Sequence, residues 1–391
     1  MSDKKVILHR GKEKAIRNHH HWIFSGAIKH LPEFENGDVL PVFSSEKEFL
    51  GWGYFHSKCS ITGRMISFEQ KDPRLTLKEK IQKAIEFRRF LFENSETNAC
   101  RIINSEGDGI PGLIVDKYNE ILVIQISTLG IEKLKPVIVE TLTELLSPAS
   151  IFEHSASPSR REEGLKTVKQ LLAGNPVPQL VEIRETGLTF FADIERGQKT
   201  GFFLDQREMR RLVGELAINR RVLNCFSYTG AFSVYALKGG ARQVDSVDIS
   251  AEAIEATRRH FEVNHCELEG NRLIVEDVFS FLRQPELPYD LCILDPPAFA
   301  KKKTDIIQAC RGYKEINRLA MAKLPAQSLL LTCSCSYHVD EKLFQQVIFQ
   351  AACEATRSVR IIQKHHLAPD HPVNLFHPEG SYLKSFLLYL D

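Results

Sequence analysis

The segment RVLNCFSYTGAFSVYALKGGARQVDSVD, residues 221–248, decides the fold predicted for this chain. Its apolar start predicts a strand, and Cys225 to Gly230 form a small polar loop. Ala231 to Leu237 predict a short helix that a glycine pair ends. Val244 to Val247 predict a second strand, with Asp248 at its end. This order of elements indicates one unit of a parallel α/β sheet.

The loop and the acid of this segment are typical of a site for a nucleoside cofactor. A glycine-bearing loop lets the backbone approach a ligand, and an acid about 20 residues further on is placed to hold ribose hydroxyls. The chain has neither G-x-G-x-x-G nor G-x-x-x-x-G-K-[ST], which grip pyrophosphate. S-adenosylmethionine, which has a ribose and no phosphate, therefore fits best. The alternative is an ordinary α/β crossover with a solvated Asp248.

Composition limits the class of protein. The 391 residues predict two or three domains, and a hydrophobic content of 43% is typical of soluble globular proteins. No apolar run approaches the roughly 18 residues of a membrane span, and the N-terminus lacks a signal-peptide core. Nine cysteines without a C-x-x-C pair argue against a disulfide framework or a zinc module. We expect a reduced, cytoplasmic protein that does not enter a membrane.

Positive charge is concentrated at the N-terminus, although the whole chain carries only +1. The first 30 residues hold two acids and seven basic residues, namely Lys4, Lys5, Arg10, Lys12, Lys14, Arg17 and Lys29. With Trp22 and Phe24 among them, they suit a surface that follows phosphates; a solvated face is the alternative. The consecutive histidines His19 to His21 have poor geometry for ligands, so no metal site is predicted.

Three domains are predicted along the chain. Residues 1–72 alternate short apolar runs and turns, which predicts a β-barrel. The start of this region is similar to the start of a PUA-type RNA-binding domain, with HRGKEKAIRNHHHWIFSGAI followed by NGDVLPVF. Residues 73–182 predict a central α+β domain, with helices over Leu75–Asn94 and Leu134–Leu146. Residues 183–391 alternate strands, among them Leu291–Leu294, and helices, among them Tyr313–Leu324, which predicts a mostly parallel sheet with helices on both faces.

The predicted cofactor residues follow the strand ends, because ligands of such sheets lie outside the carboxyl ends of the strands. Asp248 would hold ribose, and Asp277 would face adenine. A helix is predicted to start at Asp205, and a polar loop with glycines precedes it. This loop could receive the methionyl carboxylate of the cofactor through Lys199. The alternative is a simple linker helix. The full predicted set is Lys199, Thr200, Phe202, Asn224, Phe226, Ser227, Tyr228, Thr229, Asp248, Ile249, Asp277, Val278 and Asp295.

Two further motifs carry the predicted chemistry. Asp295-Pro296-Pro297 forms a stiff loop that would grip the edge of a planar base, and the run Lys301–Lys303 suits phosphate contact or simple solvation. Cys333 and Cys335 follow the next predicted strand. Carbon 5 of cytosine needs a nucleophile that adds to carbon 6, and a thiolate can do this while Asp295 offsets the charge near N3. The alternative is that these cysteines are small hydrophobic residues.

Together the motifs resemble the large-subunit rRNA (cytosine-5-)-methyltransferase I family. The motifs are GQKTGFFLDQR (197–207), VLNCFSYTGAFS (222–233), VDIS (247–250), DPPAF (295–299), RGYKEIN (311–317), SCS (334–336) and HPEGSYLKSF (377–386). The resemblance implies a PUA domain, a central α+β domain and a Rossmann-like, class I S-adenosylmethionine-dependent methyltransferase domain. By motif position it makes Cys335 the nucleophile and Cys333 secondary. Because Asp-Pro-Pro is not followed by cysteine, it implies a mechanism with one thiol.

The resemblance also implies partners. It implies methylation of cytosine in 23S rRNA, free or in an assembling subunit, and a homodimer. Two other functions stay open from the residues alone. One is a methyltransferase that acts on an amino group of a base or on a small molecule without a covalent thiol step. The other is a non-catalytic RNA-binding scaffold, against which the acids at three strand ends argue.

Overall fold

The computed structural model describes residues 4–93, 95–300 and 302–391. The predicted helix end at Asn94, and Lys301 of the predicted lysine run, lie outside the described residues. The chain divides into two units. The first comprises the described residues up to Gly187, with Phe191–Leu204 and Pro369–Gly380; the second comprises Leu188–Phe190, Asp205–Ala368 and Ser381–Asp391. The three-domain division predicted from the sequence stays a prediction.

The first unit begins with a six-stranded sheet. Its elements are β1 (Val6–Leu8), α1 (Lys14–Arg17), β2 (Trp22–Phe24), β3 (Ile28–His30), β4 (Val39–Phe43), β5 (Phe49–Phe55) and β6 (Ile61–Ser67). The strand order is β2-β6-β5-β4-β1-β3, in which β1 and β4 are parallel and the other neighbours antiparallel. Alternate residues such as Val6 and Leu8 point into a core with Val42 and Phe55.

The rest of the first unit is an α+β arrangement, as predicted. It contains α2 (Pro73–Phe92), β7 (Ala99–Asn104), β8 (Leu113–Tyr118), β9 (Ile121–Ile126), α3 (Leu129–Leu146), β10 (Ser150–Ser155), α4 (Pro158–Glu162) and β11 (Val168–Gly174). The sheet order is β11-β10-β9-β8-β7. Asp72 caps α2 by accepting a hydrogen bond from the Arg74 N–H, and Pro73 fits the first turn. Strands β12 (Val181–Glu185) and β13 (Leu188–Ala192) form a two-stranded sheet.

The second unit is the predicted α/β sheet. Its elements are α5 (Arg207–Leu216), β14 (Arg221–Cys225), α6 (Ala231–Lys238), β15 (Gln243–Asp248), α7 (Ala251–Val263), β16 (Arg272–Val275), α8 (Val278–Phe281), β17 (Leu291–Leu294), α9 (Ile306–Lys323), β18 (Leu329–Ser334), α10 (Glu341–Glu354), β19 (Val359–His365) and β20 (Lys384–Leu390). The order is β16-β15-β14-β17-β18-β20-β19. All neighbours from β16 to β18 are parallel, whereas β20 is antiparallel to both β18 and β19.

Both faces of this sheet are covered, because alternate strand residues enter two different cores. Leu223 and Cys292 belong to a core that includes residues of α8, α9 and α10. Val222 and Ile293 belong to a second core that includes residues of α5 and α6. A strand that is covered on both faces consists of a continuous run of apolar residues. This explains why the sequence predicted β17 as Leu291–Leu294.

Three predicted helix starts are wrong. Helix α9 begins at Ile306 rather than Tyr313, and α3 begins at Leu129 rather than Leu134. In α3, Gly130 lowers local helix propensity, but a Cβ there would lie 2.1 Å from Cγ of Tyr54, so packing requires the glycine. Asp205 does not cap α5. Its Oδ2 accepts a hydrogen bond from the Tyr382 hydroxyl, and a short 3-10 turn over Leu204–Gln206 precedes the helix.

Two expectations from composition can be compared with the structure. None of the nine cysteines, which all lie in the described part of the chain, forms a disulfide. None of the helices that the structure describes combines the length and the apolar content needed to cross a membrane.

Replacement of Gly230 tests the packing of the loop after β14. Gly230 has φ +73°, and a Cβ there would lie 2.2 Å from Cγ2 of Thr257. We expect Gly230→Ala to lower the free energy of unfolding by about 1–2 kcal/mol for the left-handed backbone and by about 1–3 kcal/mol more for the overlap. The matched control is Gly270→Ala, because Gly270 has φ +80° and nothing within 4 Å of its Cβ position. Equal urea-unfolding midpoints for the two variants would contradict this packing.

Candidate active site

The carboxyl ends of the parallel strands of the second unit meet at one edge of its sheet. Cys225, the last residue of β14, pairs with Val247 of β15 on one side and with Leu294 of β17 on the other. Leu294 in turn pairs with Thr332 of β18. Because these strands are parallel and in register, the residues that follow each of them lie along the same edge. This places Phe226–Gly230, Asp248, Asp295 and Cys335 in one row.

The loop after β14 has an unusual backbone. Phe226 and Tyr228 have positive φ angles of 56° and 46°, which non-glycine residues rarely adopt. The Ser227 N–H donates to the carbonyl oxygen of Val247 at 3.0 Å, and the Tyr228 N–H donates to Oδ2 of Asp248 at 2.9 Å. The neighbouring strand β15 therefore holds the loop in this strained conformation. Strain of this kind is concentrated at ligand-binding sites.

The carboxylate of Asp248 binds the backbone of two loops and can still accept further hydrogen bonds from a ligand. Its Oδ2 accepts from the Tyr228 N–H, and its Oδ1 accepts from the Ser250 N–H at 2.9 Å. A carboxylate offers about four acceptor positions, so both oxygens can still accept hydrogen bonds from ribose hydroxyls. Ile249 is 71% exposed beside it, and Val275 at the end of β16 is 54% exposed. These two side chains provide apolar surface against which a purine could pack.

Of the remaining predicted residues in and after β14, Asn224 and Ser227 are buried and Thr229 is half-buried. Asn224 is fully buried, and its Nδ2 donates to Oγ of Ser233 at 2.9 Å. The Thr229 carbonyl oxygen is 2.7 Å from Nδ1 of His260. Within the described residues, Oδ1 of Asn224 and Oγ of Ser227 are buried without a hydrogen-bond partner. Buried polar atoms of this kind call for a partner, so the donor set fits a polar ligand at this loop.

Asp277 and Val278 follow β16 and form the start of α8. Asp277 is exposed and caps α8, since its Oδ1 accepts hydrogen bonds from both the N–H and the hydroxyl of Ser280. The side chain of Val278 is only 2% exposed and packs in the core. A cofactor contact by Val278 would therefore use its backbone.

The predicted residues Lys199, Thr200 and Phe202 belong to the first unit. Thr200 is buried there, and its hydroxyl donates to Oδ2 of Asp116 at 2.5 Å and lies 2.8 Å from the Tyr118 hydroxyl. Phe202 is also buried, and its N–H donates to the Tyr118 oxygen. Nζ of Lys199 lies 4.4 Å from the ring centroid of Phe203. Their role in cofactor binding stays a prediction.

Asp295 follows β17 and is half-buried. Its Oδ1 accepts a hydrogen bond from Nε2 of Gln206 at 3.1 Å. The next residue, Pro296, is buried and Pro297 is exposed. The carboxylate is thus held by a neighbouring amide and by a backbone that two prolines restrict.

The two cysteines after the Asp-Pro-Pro loop differ in environment. Cys333 lies inside β18 and is fully buried, and burial raises the pKa of its thiol well above the ordinary value. Cys335 comes one residue after β18 and is half-buried. Its Sγ lies 3.9 Å from the carbonyl oxygen of Pro296, so this thiol contacts the Asp-Pro-Pro loop. Of the two, Cys335 is the thiol that can reach a ligand at the strand edge.

Sequence reasoning missed residues that support this thiol. Oγ of Ser336 accepts from the Ala300 N–H at 3.1 Å and lies 2.9 Å from the Tyr313 hydroxyl, whose pKa burial raises to about 12. Nζ of Lys384 donates to the carbonyl oxygen of Ser336 at 2.8 Å. These supporting residues lie inside three of the quoted motifs: Ser336 in SCS, Gln206 in GQKTGFFLDQR and Lys384 in HPEGSYLKSF. The motifs were therefore the sequence signal that could have identified them.

Side chains of the metal-ligating type cluster at two places in the described residues, both in the first unit. His20, His377 and Glu379 form one group, and His56, Cys59 and Glu163 form the other. Glu163 is occupied by Arg64 and by the Leu129 N–H. Nε2 of His20 lies 3.3 Å from Oε1 of Glu379, a distance that a hydrogen bond accounts for. The prediction of no metal stays a prediction.

Comparison with known proteins adds to this geometry. The sequence model of a family described as S-adenosylmethionine-dependent methyltransferase matches residues 156–379, and that of a PUA-like domain matches residues 6–68. Relatives named ribosomal RNA large subunit methyltransferase I from Aliivibrio fischeri (strain ES114) and Alteromonas mediterranea are both 38% identical to the chain. The matches cover 97% and 98% of this chain, respectively, and 98% of each relative.

Two solved structures are similar over nearly the whole chain. The crystal structure of SMU.776 complexed with SAH has a TM-score of 0.87 and 26% identity, and covers 99% of this chain and 100% of that one. A structure described as a SAM-dependent methyltransferase from Streptococcus mutans has a TM-score of 0.85 and 25% identity, with the same coverage. Together with the two family models, these similarities confirm the predicted fold, the PUA-like domain and S-adenosylmethionine as the cofactor.

Replacement of Asp248 tests the cofactor site. We expect Asp248→Ala to weaken S-adenosylmethionine binding by about ten- to a hundredfold, or about 1.4–2.7 kcal/mol, because the ribose acceptor and the support of the Tyr228 N–H are lost together. Isothermal titration calorimetry would measure this. The control is Glu252→Ala, which removes an exposed carboxylate from the first turn of α7. Equal affinities of the two variants would show that Asp248 does not bind the cofactor.

Proposed function

Because the chain belongs to the S-adenosylmethionine-dependent ribosomal RNA large subunit methyltransferase I family, we propose that it methylates carbon 5 of a cytidine in 23S rRNA. The observation that carries the choice of carbon 5 is the half-buried thiol of Cys335, 3.9 Å from the carbonyl oxygen of Pro296. Methylation of an exocyclic amino group requires no thiol at this place, whereas methylation of carbon 5 requires one.

Cys335 acts as the nucleophile in this proposal. Its thiolate adds to carbon 6 of the cytosine, and this makes carbon 5 enamine-like. Bound S-adenosylmethionine would supply an electrophilic methyl group: carbon 5 forms a bond to it, the bond from the methyl to the sulfonium sulfur breaks, and S-adenosylhomocysteine is left. A base then removes the proton from carbon 5, and the bond between carbon 6 and Sγ breaks to return the thiolate. Cys333 has no part in these steps, since it is fully buried within β18.

Asp295 orients the base. In its protonated form its carboxyl group donates a hydrogen bond to N3, and this offsets the negative charge that develops there when the thiolate adds to carbon 6. The hydrogen bond from Nε2 of Gln206 occupies one position of Oδ1 and restricts the rotation of the carboxyl group. The target cytidine reaches this site as an unpaired or flipped nucleotide, because the ring atoms are inaccessible within a duplex.

The N-terminal sheet is proposed to bind RNA. All seven basic residues of the first 30 are exposed, and Arg17 forms an ion pair with Glu48. Phe24 is 50% exposed and available for stacking on a base. Trp22 is less available, because its Nε1 donates to Oε1 of Glu106 at 2.8 Å. Phosphate contacts by the basic residues would position the rRNA without reading its sequence.

Replacement of Cys335 tests the covalent mechanism. We expect Cys335→Ala to retain S-adenosylmethionine binding and to lose methyl transfer, with a rate reduced at least about a thousandfold, that is, by about 4 kcal/mol of barrier. The assay is transfer of labelled methyl to ribosomal RNA from a strain that lacks this gene, followed by nucleoside analysis for 5-methylcytidine. The control is Cys333→Ala, which removes the neighbouring buried thiol and should retain turnover.

Trapping of the adduct gives an independent result. RNA that contains 5-fluorocytidine cannot release the substituent of carbon 5 as a proton, so the bond between Sγ and carbon 6 should persist after denaturation. We expect a protein–RNA band on a denaturing gel for the wild type and for Cys333→Ala, and none for Cys335→Ala. Full turnover by Cys335→Ala, with a methylated amino group as the product, would favour the mechanism without a thiol.

A further inference from the structure

Lys384 is a buried cation next to the proposed nucleophile. It is the first residue of β20, it pairs with Ser334 of β18 in the antiparallel ladder, and it is only 3% exposed. Its Nζ donates to the carbonyl oxygens of Ser336 and Tyr382, both at 2.8 Å. Lys384 thus contacts the residues on either side of Cys335, one through the strand ladder and the other through its ammonium group.

The burial of this lysine calls for an explanation. In the described part of the chain no carboxylate hydrogen-bonds to Nζ, and carbonyl oxygens are its acceptors. A buried charge without a counter-charge is costly, and lysine is rarely buried for packing alone. Burial lowers the pKa of Lys384 to about 8, while the charges of Cys335 and Asp340 oppose this shift. The ammonium form therefore predominates at neutral pH and declines above about pH 8.

We propose that Lys384 is a positioning residue whose ammonium group stabilises the thiolate of Cys335. The inference rests on the proposed function, in which Cys335 attacks the base. When the thiol ionises, its proton passes to water, and the resulting pair of ammonium and thiolate carries no net charge. The interaction favours the thiolate before RNA binds and again when the bond to carbon 6 breaks. An adjacent cation is a general means of activating a cysteine.

Two titratable groups near this pair, Tyr313 and Cys333, stay neutral through the relevant pH range. The Tyr313 hydroxyl interacts with Cys335, but its pKa is raised to about 12 by burial, so it stays neutral. Cys333 also stays neutral, because burial raises the pKa of its thiol. Asp340, whose charge acts on Lys384, caps α10 by accepting from the Leu343 N–H. The thiol of Cys335 is then the neighbouring group whose ionisation Lys384 can favour.

A purely structural role for Lys384 gives a different expectation. Its two hydrogen bonds join the segment after β18 to the segment before β20, and their loss would lower stability. Such a role would not change the pH at which Cys335 ionises. The pH at which Cys335 ionises therefore distinguishes a positioning role of Lys384 from a purely structural one.

The test is the rate of iodoacetamide alkylation of each cysteine in the full-length protein without RNA, measured from pH 5 to pH 10 by peptide mass spectrometry. Only the thiolate reacts, so the midpoint of each profile reports ionisation rather than accessibility. Cys353 is exposed and serves as the internal reference. In the wild type we expect the midpoint of Cys335 to lie below that of Cys353. A midpoint equal to or above that of Cys353 would overturn the inference without any variant.

The matched variants are Lys384→Met, which keeps the length of the side chain, and Lys384→Arg, which keeps the charge. We expect Lys384→Met to slow alkylation of Cys335 about tenfold at pH 7, equivalent to one pKa unit, while Cys353 is unchanged. Lys384→Arg should restore most of the rate. Unchanged Cys335 profiles in both variants would make Lys384 structural, even if stability falls.

These measurements are independent of the proposed function. If the wild type forms 5-methylcytidine and its Cys335 profile does not depend on Lys384, only the lysine inference fails. If the profile depends on Lys384 and no 5-methylcytidine forms, the proposed function fails while the interaction between the two residues stands.

Discussion

The parallel register of β14, β15, β17 and β18 is the constraint on which the proposed site depends. Strands that run in the same direction end at the same edge, so the polar residues that follow them are brought together although they are far apart in sequence. A change of direction in one strand would move its last residues to the opposite edge. Strand β20, which is antiparallel to both β18 and β19, runs in that other direction and begins at this edge, and this is how Lys384 comes to lie beside the end of β18.

Burial then decides what the residues at this edge can do. Cys333 and Cys335 are two positions apart and chemically identical, yet one lies inside a strand covered on both faces and the other lies beyond its end. Burial suppresses the ionisation of Cys333, because a thiolate is poorly solvated in an apolar core. Asp248 is the opposite case. Its carboxylate is half-exposed, and backbone N–H groups from two loops hold it in place.

Much of the second unit could be predicted, because each element has its own local signal. An apolar run predicted β17, and a helical pattern that ends at two glycines predicted α6. Both elements were predicted at almost their observed bounds. The helix starts were less predictable. Gly130 in α3 looks like a helix breaker, and only the contact with Tyr54 explains its presence. Asp205 looks like a cap, but it bonds to Tyr382, which is remote in sequence.

The sequence by itself determined the order of strands and helices, the class of cofactor and the residues at the strand ends, because these depend on local periodicity and on motifs. Only the tertiary structure decided which of two cysteines contacts the Asp-Pro-Pro loop, and that Gln206 and Lys384 belong to the same edge of the sheet. These are contacts between residues that lie 39 to 89 positions apart in the sequence. Their geometry depends on strand order and on burial, and neither quantity can be read from local sequence patterns.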